Sequence, residues 1–128
     1  MEKIPYTRYL KAISAGEALL YILDNPVPTS TWLCVQHITV ENETTNFNNI
    51  RVGQGRDEAH VHWWEDTPVP AAGVLYEFEE LFFVQELNRV IVRLDGTTAA
   101  DLLNVWIDGY TWEKRVSGRQ FKYRNREE

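Results

Sequence analysis

The chain has 128 residues and a formal charge of −6, with 44% hydrophobic residues, one cysteine and five tryptophans. That length suits one compact domain, the single cysteine excludes an intramolecular disulfide, and the acidic balance argues against general binding to nucleic-acid phosphates. The opening MEKIPYTRYLK lacks a secretory apolar region and no window approaches the ~20 apolar residues of a membrane-spanning helix, so a soluble chain made in a cytoplasm, with no membrane partner, is the expectation. In chain order, residues 1–16 read as an N-terminal arm or short helix, because Tyr6, Tyr9, Leu10 and Ile13 fall at helical spacing. Short apolar or alternating runs then predict strands at 17–23, 31–41, 49–54, 59–64, 73–79, 81–87, 89–95 and 101–113. The stretches between them, such as DNPVPTS, NETTNFN, EDTPVPAAG and DGTTAA, are rich in the residues that turns favour.

About eight short strands predict an all-β fold, an antiparallel β-sandwich or jelly roll spanning residues 17–116. Residues 117–128 form a basic C-terminal tail. Charge is divided unevenly: residues 114–128 carry a net +4 and residues 1–113 the remaining −10. Alternation assigns faces within strands. In the second strand Ile38 and Val40 are expected on one side with Trp32 and Cys34. In the last strand Leu103, Val105 and Ile107 take one side, while Asn104, Trp106 and Asp108 take the other. Cys34 lies in the apolar run TWLCVQHITV and reads as an inert core thiol.

Candidate chemistry centres on HVHWWEDTPVPAAG, residues 60–73. On a strand, His60 and His62 share a face and could converge on one ion, with Asp66 completing the shell. The alternative is architectural: histidines beside Trp63 and Trp64 suit a wet aromatic interaction surface, where amphipathic rings supply contact area. No phosphate-cradling glycine loop or nucleophile elbow is visible, and the acid pairs Glu79/Glu80 and Glu65/Asp66 read as solvated strand ends. No catalytic residue and no cofactor is therefore expected. The tryptophans raise one more option, a sugar-stacking platform of Trp63, Trp64, Trp106 and Trp112. Trp63, Trp64, Trp106 and Phe83 exceed what one small core can hold and are expected at an interface. Arg119, Lys122, Arg124 and Arg126 of the tail are expected to join them on an acidic neighbour.

Two resemblances follow from these residues. His60, His62, Asp66 and Gly73 are similar to part of the first cupin motif, which implies a metal-dependent enzyme; no histidine follows His62 to complete a cupin ligand set. From residue 17 to about 114, the succession EALLYILDNPVPTSTWLCVQHITVENETTNFNNIRVGQG, DTPVPAAGVLYEFEELFFVQELNRVIVRLDG and LLNVWIDGYTWEK resembles small structural proteins of tailed-bacteriophage virions. That resemblance implies a non-enzymatic capsid decoration (cement) protein, or a head-tail connector or tail component. It further implies location in the virion, homo-oligomerisation, and the major capsid protein or other virion proteins as partners. Nucleic acid is not expected as a partner.

Overall fold

A computed structural model describes residues 2–113. It contains nine β-strands and, among the described residues, no helix: β1 Ile4–Ile13, β2 Leu19–Leu23, β3 Thr31–Asn42, β4 Asn49–Gly55, β5 Val61–Pro68, β6 Tyr76–Phe78, β7 Phe82–Val84, β8 Arg89–Asp95 and β9 Leu102–Glu113. They form two antiparallel sheets. One has five strands, in the order β1-β9-β3 with β6 and β7 both on the far edge of β3; the other has four, in the order β2-β8-β4-β5.

The pairing is a nested hairpin. β4 pairs with β5, β3 with β6 and β7, β2 with β8, and β1 with β9. Apart from the β4–β5 hairpin and the β6/β7 pair, each strand is followed by one in the opposite sheet, and the added pairs β3·β9 and β4·β8 close the roll. This is the jelly-roll order, with β6 and β7 acting as one interrupted strand.

Between the sheets lies an aliphatic core. Leu33, Val35, Ile38, Val40, Ile50, Val52, Val84, Val90, Val92, Leu94, Leu103, Val105 and Ile107 are all essentially inaccessible to solvent. Alternation works as expected on β9, whose Leu103, Val105 and Ile107 face inward. On β3 it does not. The register with β9 shifts between Val35 and His37, so Gln36 is an extra residue and parity reverses there. Leu33 and Val35 thus share the core with Ile38 and Val40, while Trp32 and Cys34 point to the other side. Gly109 permits this close passage: a Cβ on it would stand 2.1 Å from the carbonyl oxygen of Cys34.

The expected arm is a strand of the sheet, so the sandwich starts at Ile4 and not at residue 17. Tyr6 and Leu10 are four apart, a spacing that both a helix and a strand place on one face. Here Tyr6, Leu10 and Ala12 pack on the core, whereas Tyr9 and Ile13 point outward. The Tyr6 hydroxyl donates to Oδ2 of buried Asp24 at 2.5 Å, and Arg8 Nε donates to Oδ1 at 2.8 Å. Burial, then the Asp24 hydrogen bond and charge, push the Tyr6 hydroxyl well above its usual range.

Candidate functional site: the outer face of the five-stranded sheet

Register decides which side chains share the outer face. Across β7, β3 and β9, Phe83, Cys34 and Tyr110 fall in one row; Trp32 faces Trp112 in the next; Thr39 and Trp106 face each other further along, with Tyr9 of β1 beside Trp106. The result is an aromatic surface. Tyr9 and Trp106 stack with centroids 5.1 Å apart and planes 10° apart; Trp32 and Trp112 lie at 6.3 Å, and Tyr110 tilts against Trp112 at 5.4 Å. The Lys3 ammonium caps the Tyr110 ring. Nearly parallel rings at the Tyr9–Trp106 separation are offset-stacked, each covering part of one face of the other. Phe83 remains half exposed.

Cys34 occupies this same face, yet its exposure is 0%. Its register neighbours Phe83 and Tyr110 flank it. Hydrogen bonding with Cys34, followed by burial, raises the Tyr110 hydroxyl above its usual range. The thiol is thus a buried free cysteine, as its apolar run suggests, but one covered by surface aromatics and not by the central core.

Beside the aromatic rows is a polar group from β3 and the β6 segment. His37 Nε2 donates to Oε1 of Glu77 at 2.7 Å and lies 3.9 Å from Oε2 of Glu79. Asp108 of β9 sits opposite His37 in the register. Nothing local in the sequence signals this cluster, because His37 and Glu77 are separated by 40 positions and meet only when β6 docks on β3.

The residues singled out in the sequence are distributed over three places. Trp106 and Phe83 belong to the outer face just described. Trp63 lies on the outer side of the four-stranded sheet, opposite Gly53, with the Arg93 guanidinium 5.4 Å from its ring centre. Trp64 is the extra residue of a second bulge, where the β4·β5 register shifts between Val52 and Gly53. It turns between the sheets and stacks on Phe82 at 4.3 Å, so it is a core-closing residue and not a free interface aromatic. Trp63, Trp64, Trp106 and Trp112 consequently do not make one platform. Arg119, Lys122, Arg124 and Arg126 lie outside the described residues.

His60 precedes β5 and is exposed, with Nδ1 at 2.8 Å from Oδ1 of Asp57. Asp66 faces Arg51, at 3.9 Å. Glu65 and Asp66 stand within β5 and not in a turn. Among the described residues, the group of three His and carboxylate side chains with ligand atoms within 4.8 Å of one another is His37, Glu77 and Glu79, and not His60, His62 and Asp66. Glu65 meets Glu80 from the β6–β7 turn; burial first, then the Glu80 charge, raise the Glu65 carboxyl above its ordinary value.

No family model matches the chain, and no curated protein matches it. Solved structures resemble it remotely. A disulfide-linked pilus chain of Bacillus endospore appendages shares 13% identity over 90% of this chain and 93% of that one, with a TM-score of 0.47. A CBM4 chain shares 12% identity over 87% and 94%, at 0.42, and the Drosophila NLP core, described with pentamer formation and histone binding, 14% over 89% and 100%, at 0.40. Likenesses this remote assign no function to this chain.

Proposed function

We propose that this chain is a non-enzymatic structural subunit of a tailed-phage virion, foremost a capsid decoration protein, that docks through the outer face of its five-stranded sheet. The observation that carries this reading is the aromatic surface of Tyr9, Trp32, Phe83, Trp106, Tyr110 and Trp112, assembled from four strands on the side of the sheet away from the core. Aromatics of this kind dominate the energetics of protein interfaces, where a central one often contributes more than ~2 kcal/mol. The resemblance of the strand and turn succession to small virion proteins favours the same reading, and the jelly-roll order is one that capsid proteins, among others, use. A sugar platform is less well supported, because Trp63 and Trp64 are carried by β5 of the four-stranded sheet, apart from Trp106 and Trp112 on β9 of the other.

The test is light scattering of the purified protein alone, together with co-sedimentation on capsid shells that lack it. The expected result is an oligomer or stoichiometric binding to shells, weakened about tenfold or more by Tyr9→Ala/Trp106→Ala with circular dichroism unchanged. A strict monomer that binds no shell overturns the proposal.

A further inference from the structure

The outer face holds a second feature that docking does not require. His37, Glu77 and Glu79 bring one imidazole nitrogen and two carboxylate oxygens within 4.8 Å of one another. The two edges from His37 Nε2 are 2.7 and 3.9 Å. They bracket the roughly 3.4 Å that separates two ligands on a tetrahedral zinc ion with bonds of about 2.0–2.1 Å, so small side-chain rotations convert the contact into a coordination shell. The donor set, one nitrogen and two oxygens, is of a kind that borderline divalent ions accept.

Charge points the same way. Asp108 places a third carboxylate opposite His37. Among the described residues, no lysine or arginine pairs with Glu77, Glu79 or Asp108; the partner of both glutamates is His37. A neutral imidazole leaves three negative groups around one point of the sheet surface. The exposed position leaves the fourth direction to water.

We propose that His37, Glu77 and Glu79 form a surface site for one divalent transition ion, with zinc as the reference ion. On binding, His37 Nε2 gives up its hydrogen bond to Glu77 and ligates through its lone pair, with the ring proton on Nδ1. The ion joins β3 to the β6 segment, which otherwise meets β3 through only three register pairs. This site is independent of the docking reading, since it belongs to the isolated protein.

The experiment is isothermal titration of Zn2+ into tag-free, chelator-treated protein, with Co2+ absorption as a second readout of ligand geometry. One ion per chain is expected, with visible cobalt bands typical of four-coordination. His37→Ala and Glu79→Gln should each weaken binding about tenfold or more, and His60→Ala/His62→Ala should leave it unchanged. All four side chains are on the surface, and circular dichroism verifies that each variant folds. Absence of saturable binding to the parent protein overturns the proposal. So does equal affinity in His37→Ala, or loss of the ion in His60→Ala/His62→Ala.

Discussion

Asp101 is the residue on which two loops converge. Its Oδ2 accepts from Asn42 Nδ2 at 2.9 Å, Thr45 Oγ1 at 2.7 Å and the Thr98 backbone N–H at 2.8 Å, tying the segment after β3 to the segment before β9. Burial works to raise its carboxyl, but the Thr45, Asn42 and Thr98 hydrogen bonds outweigh it and hold the group below its usual value. A depressed acid contributes stability above the unfolded value of about 3.9 and loses it as pH falls through the folded value. Asp101→Ala should therefore cost about 2–4 kcal/mol in urea unfolding at neutral pH, since it strands three donors. Asp101→Asn, which keeps an acceptor, should cost less and should flatten the acid limb of the stability curve. Glu65 has the opposite sign: its raised carboxyl favours the fold below about pH 4.3 and that contribution is lost as pH rises through the folded value. Glu65→Gln should be at least as stable as the parent at pH 7, the gap closing near pH 4. Cys34 supplies a third residue-level test, because a thiol with no exposure should resist a disulfide reagent until the protein opens. Phe83→Ala, which removes one of its two register neighbours on the outer face, should speed modification about tenfold or more with little change in melting temperature.

At the scale of elements, two bulges account for most of what the sequence did not disclose. The strand positions were legible: β8 occupies the predicted 89–95, and the other predicted strands each overlap an observed one. Period two was legible on β9, where no irregularity intervenes. On β3 and β5 one inserted residue reverses the pattern, so Cys34 leaves the core and Trp64 enters it. A bulge depends on the partner strand and on a glycine placed across from it, information that no local window contains. The same holds for the aromatic face, because Tyr9, Trp32, Phe83 and Trp106 come from four strands and only pairing makes them neighbours. Gly109→Ala tests the β3 bulge directly. Its new methyl would meet the Cys34 carbonyl, and a destabilisation of about 1–3 kcal/mol by chemical denaturation is expected. Trp64→Ala should also destabilise by about 2–3 kcal/mol, somewhat less than a fully buried tryptophan, while leaving docking to shells intact. Loss of docking without loss of stability would return Trp64 to the interface.

The whole molecule carries an acidic body, and residues 114–128 add the opposite charge. Exposed ion pairs are individually weak, about 0.2–1 kcal/mol, yet many repeated over a lattice can set attachment. Deleting residues 117–128 should leave the sandwich folded and weaken assembly, and added salt should mimic the deletion. Unchanged assembly at both salt levels would reduce those residues to a solubilising role. The nested pairing also has a bearing on the order in which the molecule can form. β9 stands between β1 and β3, although every other described strand precedes it along the chain. During synthesis β1 has no partner, and β3 keeps an open edge, until Leu102–Glu113 leaves the ribosome. Contacts spanning nearly the whole described chain must then close together, which places folding toward the slow, millisecond-to-second end for small domains. A chain halted before Leu102 should be protease-sensitive and prone to pair its unsatisfied strands with those of its neighbours. Growing chains on one messenger are therefore competitors for each other's edges, and the arrival of β9 ends that competition.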